Sequence, residues 1–274
     1  MIAVLNALPL VQDRLDSWRA GLPPDVELIV VDGGSTDGSR EWLEVRKSAS
    51  HRAPLTMIFK DDSSIAEAWN NAIAVAMGEW VLFMGADDRI PDGSRWPGLL
   101  ERLGSRGASV DACLFPVEIV SPYGRRLDVV SPNLWSAGPF GSAILRLPHQ
   151  GVFHRRTMWP RFGRFDTTYA VAADYEFLVR SRAQDARFEV AQELSPVQMT
   201  FGGVSTRSPL RTLLEYRRVH RSHRIHTRPI EWGARLAVAA AREALTTAGL
   251  RWAADAAADL ARVVRGRPKV WTVP

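Results

Sequence analysis

Short apolar runs alternate with helical patterns through the first half of the chain. Runs at Ile2–Leu5, Val26–Val31, Leu55–Phe59 and Trp80–Met84 predict strands. Spacing near 3.6 residues predicts helices around Val11–Ala20, Ser39–Ser48, Ile65–Met77 and Ser94–Arg106. The 65–77 segment has the clearest face, with Ile65, Trp69, Ala72, Ile73 and Ala76 in one stripe and Gly78 as the stop. Such strand–helix alternation predicts an α/β domain with a mostly parallel sheet and crossover helices. Further on, Ala112–Val120 and Arg126–Val130 read as strands separated by a Ser121-Pro122-Tyr123-Gly124 turn. Residues 131–148, rich in Pro, Gly and Ser, read as a long loop of the functional kind. Gly151–Phe153 reads as a strand, Ala172–Arg182 as a helix and Phe188–Ala191 as a strand. Beyond Ser208-Pro209 the pattern is helical throughout: Leu210–Arg224 is amphipathic and basic, and Ile230–Val264 is rich in Ala and Arg. The chain therefore divides into an α/β domain over residues 1–205, with halves near 1–110 and 111–205, and a basic helical C-terminal extension over 206–274.

Two of the predicted strands run into acidic turns. Val26–Val31 leads into Asp32-Gly33-Gly34-Ser35-Thr36-Asp37-Gly38-Ser39, and Trp80–Met84 leads into Gly85-Ala86-Asp87-Asp88. Buried parallel strands deliver such groups to the carboxyl edge of the sheet, where α/β folds bind ligands. Glycines 33 and 34 permit close backbone approach. Ser35, Thr36 and Asp37 are also good helix-capping types, so a turn-and-cap role for Asp37 stands beside a ligand role. The adjacent Asp87 and Asp88 repel each other unless a cation or hydrogen-bond donors compensate, and a hard divalent ion, Mg²⁺ or Mn²⁺, takes such oxygens. Asp174 sits among apolar neighbours at a predicted helix start. Burial raises a carboxyl pKa and a helix N-terminus lowers it, which suits a general base. Glu176 is the neighbouring alternative. Asp62 stands before the 65–77 helix as a cap or a ligand group.

Five motifs in order resemble the family 2 glycosyltransferases of the GT-A fold: Asp32 to Ser39; Asp62-Ser63-Ser64-Ile65-Ala66-Glu67-Ala68-Trp69-Asn70-Asn71-Ala72-Ile73; Gly85-Ala86-Asp87-Asp88; His149-Gln150-Gly151-Val152-Phe153-His154-Arg155; and Ala172-Ala173-Asp174-Tyr175-Glu176-Phe177. The resemblance covers residues 1–205 and implies a Rossmann-like mixed sheet flanked by helices, followed by the helical extension. It implies an inverting transferase moving a sugar from a nucleotide-activated donor to a hydroxyl of a glycan or lipid-linked acceptor. The first half would bind the nucleotide-sugar through Asn6, Asp32, Ser35, Asp62 and Asp87. A divalent cation would sit on Asp87 and Asp88, and the second half would carry Asp174 as base. His149, Gln150 and Glu176 would orient donor or acceptor. The family's first acid in the D-x-D element is Gly85 here, and its Gly in the second motif is Ser64. Arg155-Arg156 could contact a diphosphate or be solvated.

The net charge of +5 is unevenly spread: Arg207 to Arg228 holds seven Arg and three His against the single acid Glu215. With no nucleic-acid module beside it, this basic stretch points to phosphate-bearing partners, including a diphosphate-lipid acceptor and peripheral contact with an anionic membrane face. His220, His223 and His226 recur every three residues, but the interleaved arginines would repel a metal, so a basic surface is the reading. The one cysteine, Cys113, lies in an apolar run and reads as a small buried hydrophobe. No secretory leader or span-length apolar run is evident, which suits a cytoplasmic protein, peripheral at the inner face of the plasma membrane. Two other readings stay open at this level. A nucleotidyltransferase should carry a glycine-rich basic loop after its first strand, where this chain has Asn6-Ala7-Leu8-Pro9-Leu10. A non-catalytic sugar-nucleotide or partner-binding module is kept alive by Gly85 and Ser64.

Overall fold

The computed structural model describes residues 1–46, 54–91, 95–133, 147–225, 229–264 and 266–273. The predicted loop at 131–148 therefore lies mostly outside the described residues, as do His226 and the ends of two predicted helices. In the first half, β1 (Ile2–Val4), α1 (Leu8–Gly21), β2 (Leu28–Asp32), α2 (Ser39–Arg46), β3 (Leu55–Phe59), α3 (Ile65–Val75), β4 (Trp80–Val81) and β5 (Met84–Gly85) follow one another. Strands β3-β2-β1-β5 form one parallel sheet. Because all four run the same way, the loops after them open at one edge. That edge collects Asn6, Asp32, Asp62 and Asp87. The chain steps outward from β1 to β2 and β3, then returns to the other side of β1 with β5, so the edge is also a topological switch point.

The alternation along β2 explains its position. Leu28 and Val30 enter the core that α1 covers with Val11, Leu15 and Trp18, while Ile29 and Val31 meet Ala68 and Ala72 of α3 on the other face. A strand buried on both faces reads as a continuous apolar run. Helix α3 is capped by Ser64, whose Oγ accepts from the Glu67 N–H at 3.2 Å, while Glu67 Oε2 accepts from the Ser63 N–H at 2.8 Å.

The second half continues with α4 (Trp96–Gly104), β6 (Ala112–Leu114), β7 (Val117–Val120), β8 (Arg126–Val130), a 3₁₀ turn (His149–Gly151), β9 (Val152–Arg155), α5 (Met158–Phe162), α6 (Ala173–Ala183), β10 (Phe188–Val190) and β11 (Gln198–Thr200). The predicted Ala112–Val120 strand is split at Phe115-Pro116, since proline cannot donate to a ladder. Its two pieces join different sheets, β10-β6-β9-β4 and β11-β7-β8, both of mixed direction. The predicted Trp80–Met84 strand is likewise shared: β4 pairs with β9 and β5 with β1, so this segment ties the parallel sheet to the mixed one. Cys113 is buried within β6.

The extension holds α7 (Val204–Arg207), α8 (Pro209–Ser222), α9 (Pro229–Thr247) and α10 (Arg251–Val264). The single helical stretch expected from 230 to 264 breaks at Gly249, which takes a positive φ of 77°. The extension is fastened to the domain by specific polar contacts. Tyr175 Oη lies 2.6 Å from His220 Nε2, and Arg267 Nη2 donates to Asp128 Oδ2 on β8 at 2.7 Å. No helix among the described residues is long and apolar enough to cross a membrane.

Candidate active site

At the end of β2, Asp32 is fully buried. Its Oδ1 accepts from the Gly34 and Ser35 N–H groups at 3.1 and 3.0 Å and from Arg40 Nε at 3.1 Å. Its Oδ2 has no hydrogen-bond partner among the described residues. Across Gly33 stands Asp62, whose Oδ1 accepts from Asn71 Nδ2 at 2.7 Å and whose Oδ2 is again buried and unpartnered. Burial, with Glu67 adding, raises the Asp62 pKa, against the Asn71 hydrogen bond. Two buried carboxylate oxygens without donors are costly unless a ligand supplies N–H or O–H groups. Asn6, in the left-handed region at φ 49°, braces the edge. Its N–H donates to Ser35 Oγ at 2.9 Å, and its Oδ1 accepts from the Thr36 N–H at 2.8 Å. Asn6 and Ser35 thus hold two loops together. Asp37 does the same, accepting from the Leu8 N–H at 2.9 Å and the Ser39 N–H at 3.0 Å.

The acidic turn after β5 divides its two carboxylates. Asp88 was paired with Asp87 as a metal ligand in the sequence, but it points into the protein. Its Oδ2 accepts from the Gly85 N–H at 2.7 Å, its Oδ1 accepts from the Thr200 N–H at 3.2 Å, and the Gln150 side chain beside it favours the charged form. Burial, with the Asp87 carboxylate beside it, pushes its pKa up to about 7. The Asp87 carboxylate instead folds over Gly85, where an added Cβ would fall onto its Oδ1. A larger residue at 85 would therefore displace Asp87. Asp87 also borders a cavity of about 840 Å³ lined by Arg14, Thr200, Phe201, Arg207 and Trp271. A smaller cavity of about 530 Å³, walled by Leu28, Trp80, Trp96 and Phe153, holds none of the predicted site residues. No cluster of three metal-ligating side chains occurs among the described residues. One free carboxylate still fits Mg²⁺ or Mn²⁺ in sites where substrate phosphates and water complete the shell.

Asp174 lies in the first turn of α6, about a quarter exposed, with its Oδ1 accepting from the Tyr175 N–H at 2.7 Å. Burial pushes its pKa up to about 6 against that hydrogen bond, and the charge of Glu215 adds to the rise. Its Oδ2 lies 3.8 Å from His149 Nδ1. His149 stacks on Phe83 at 5.0 Å and meets the edge of Trp69 at 4.8 Å. Burial drives its pKa well below the ordinary value, so the ring is neutral. Next to it, Gln150 reaches Asp88. The His149–Gln150 turn therefore touches Asp174 at one end and the acidic turn at the other. Gly151 makes this seat possible, because a Cβ there would overlap the Phe115 carbonyl.

Three predicted residues are held elsewhere. Glu176 is tied to Arg180 Nε at 2.9 Å and His223 Nε2 at 3.1 Å, not to the Asp174 edge, because it falls on the far side of the α6 turn. Arg155 is buried, donating to Val110 O at 2.8 Å and Gly107 O at 3.1 Å, and Arg156 donates to Gly78 O at 3.0 Å. Both arginines serve the framework.

Sequence reasoning missed two supports of the site. Arg14 and Trp18 of α1 donate to the Asp88 carbonyl at 3.2 and 3.0 Å, and Arg14 also bonds the Asp87 carbonyl. The available signal was an arginine on the apolar stripe Val11, Leu15, Trp18. Glu215 of α8 reaches back to the loop before α6 and accepts from the Ala170, Val171 and Ala172 N–H groups at 3.2, 2.8 and 2.9 Å. Helix α6 has no capping side chain of its own, so Glu215 orders the segment that presents Asp174. Burial opposes the Glu215 charge, but these donors outweigh it and its pKa falls.

Residues 1–162 match Glycosyl transferase family 2. The chain belongs to that family. It is 30% identical over 188 residues to a PGL/p-HBAD biosynthesis glycosyltransferase of Mycobacterium tuberculosis, covering 66% of this chain and 67% of the relative. It is 32% identical over 84 residues to the putative teichuronic acid biosynthesis glycosyltransferase TuaG of Bacillus subtilis, covering 31% of this chain and 33% of TuaG. Among solved structures, S. aureus TarS 1-349 with UDP-GlcNAc superposes with a TM-score of 0.58 at 17% identity, over 86% of this chain and 69% of that one. The mannosyltransferase PcManGT of Pyrobaculum calidifontis, with GDP-Man and Mn²⁺, gives 0.57 at 20% identity, over 94% and 74%. The fold is thus that of the GT-A transferases, and this family 2 chain is a glycosyltransferase.

Proposed function

We propose that the enzyme is an inverting transferase. It takes a nucleotide-activated sugar at the carboxyl edge and passes the sugar to a hydroxyl of a glycan or lipid-linked acceptor. Asp32 and Asp62 accept hydrogen bonds from the nucleoside with their unpaired oxygens. Asp87 faces the diphosphate together with a divalent cation, Mg²⁺ or Mn²⁺, which when bound neutralises charge on the leaving group. Asp88 shapes that turn from inside. The mycobacterial and B. subtilis relatives, named for PGL/p-HBAD biosynthesis and teichuronic acid biosynthesis, support a cell-envelope acceptor.

One observation carries this reading: the His149–Gln150 turn joins Asp174 to the acidic turn at Asp87-Asp88. With a pKa near 6, Asp174 is ionised at neutral pH yet still basic enough to accept a proton. The acceptor oxygen forms the new bond to the anomeric carbon. The bond from that carbon to the diphosphate oxygen breaks, its electron pair leaves with the nucleoside diphosphate, and the hydroxyl proton passes to Asp174. One base and no covalent intermediate give inversion. Neutral His149, fixed between Phe83 and Trp69, keeps the Asp174 side of the site in place.

The test is Asp174→Asn. Turnover is expected to fall by roughly 10²–10⁴-fold with donor affinity retained. Unchanged turnover with the same donor would remove Asp174 as the base.

A further inference from the structure

Helix α10 is docked inside out. Its polar residues face the protein. Asp255 accepts from Arg242 Nη2 at 2.9 Å. Asp259 is buried and accepts from the Val270, Trp271 and Thr272 N–H groups at 2.8, 3.1 and 2.8 Å. Arg262 Nε donates to Pro268 O at 2.7 Å, and its Nη2 donates to Asp128. The outward face is apolar: Trp252, Leu260, Val263 and Val264 are 73%, 66%, 48% and 79% exposed. At about 100° per residue these four fall within an arc of about 120°. Amphipathic surface helices ordinarily turn that stripe toward the core.

Both carboxylates of α10 are directed inward, so no acid stands on the exposed stripe. Arg251, at the start of the helix, pairs with Asp255 at 3.7 Å on the cavity side, and Lys269 lies exposed just beyond the helix. Much of the α8 basic stretch is engaged within the protein instead. Arg218 bonds Thr168 Oγ1 at 2.8 Å and lies over Tyr169, and Arg211 pairs with Glu215 at 3.3 Å. The inner side of the same helix, through Arg251 and Asp255, walls the 840 Å³ cavity that Asp87 borders.

We propose that the exposed face of α10 is an interfacial membrane surface, seated in the headgroup region of an anionic lipid layer. Trp, Leu and Val enter the acyl boundary and Lys269 meets lipid phosphates. A second copy of the chain fits less well. Four side chains on one helix fall far short of the roughly 20–30 residues a side that a stable interface uses. A net charge of +5 also favours an anionic surface over another copy of itself. The proposal does not depend on the sugar-transfer reading, because its readout is binding.

The experiment is co-sedimentation of the full chain with phosphatidylcholine vesicles, alone and mixed with phosphatidylglycerol. Variants are Leu260→Gln with Val264→Ser, and Tyr123→Ser as a control at an equally exposed apolar position. Circular dichroism and melting temperature check that each variant is folded. The parent is expected to sediment with the anionic vesicles and not with the zwitterionic ones. The double variant should bind at least roughly tenfold more weakly, with Tyr123→Ser unchanged. Three outcomes overturn the proposal: no sedimentation with anionic vesicles, equal binding by the folded double variant, or a dimer in light scattering that this variant abolishes.

Discussion

At the residue scale, the site rests on where individual carboxylates find donors. Asp32, Asp62 and Asp174 were legible because each follows an apolar segment that had to be buried. What the sequence could not assign was the partnering. Asp87 and Asp88 are identical in composition, yet Asp88 takes the Gly85 and Thr200 N–H groups while Asp87 stays at the edge. That division depends on Thr200, more than a hundred positions away, and on the bare Cα of Gly85. Two predictions belong here. Folding raises the Asp174 pKa to about 6, so ionisation opposes folding. The stabilising effect of the protonated form is complete below the unfolded pKa and is lost as pH rises through about 6. Asp174→Asn should therefore raise the melting temperature at pH 8, by a stability on the order of 2 kcal/mol, and change it little at pH 4. Equal melting shifts at both pH values would refute the assigned burial. Second, Asp62→Ala removes an unpartnered acceptor, so donor affinity should fall by an amount on the order of 1.5–3 kcal/mol, read by titration calorimetry.

At the element scale, apolar segments could be read, even strands as short as β1 and β10, and short polar ones could not. Helix α3 shows its apolar stripe in sequence. Strand β11, only Gln198–Thr200 and mostly polar, exists because β7 offers it a free edge and Arg89 bridges to Gln198. Glu215 shows how one element completes another. It was visible only as the lone acid of a basic stretch, yet it gathers the N–H groups before α6. Glu215→Gln keeps acceptor capacity but removes a charge that raises the Asp174 pKa. The acid limb of the pH–rate profile should then shift to lower pH than in the parent, with donor KM little changed. A purely structural role would lower activity without moving that limb. In the 3₁₀ turn, Gly151→Ala would force the Phe115 carbonyl aside and should destabilise the fold by more than about 2 kcal/mol in denaturant melts.

At the scale of the whole molecule, the parallel sheet sets the carboxyl edge, the mixed sheets carry the His149–Gln150 turn to it, and the extension fixes the loop before Asp174 from behind. The change in composition near 205 is legible. The function of the extension was not, because its contacts run through Glu215, His220 and Asp128 to residues distant in sequence. The claim on which the account turns is that the edge formed by Asp32, Asp62 and Asp87 is a metal-assisted nucleoside diphosphate site. Calorimetric titration of UDP and GDP, with and without Mn²⁺, into the parent, Asp62→Asn and Asp87→Asn tests it most directly. One nucleotide should bind the parent in a Mn²⁺-dependent way, Asp62→Asn should bind more weakly, and Asp87→Asn should lose the metal dependence. Binding of neither nucleotide, or binding indifferent to both substitutions, would contradict it.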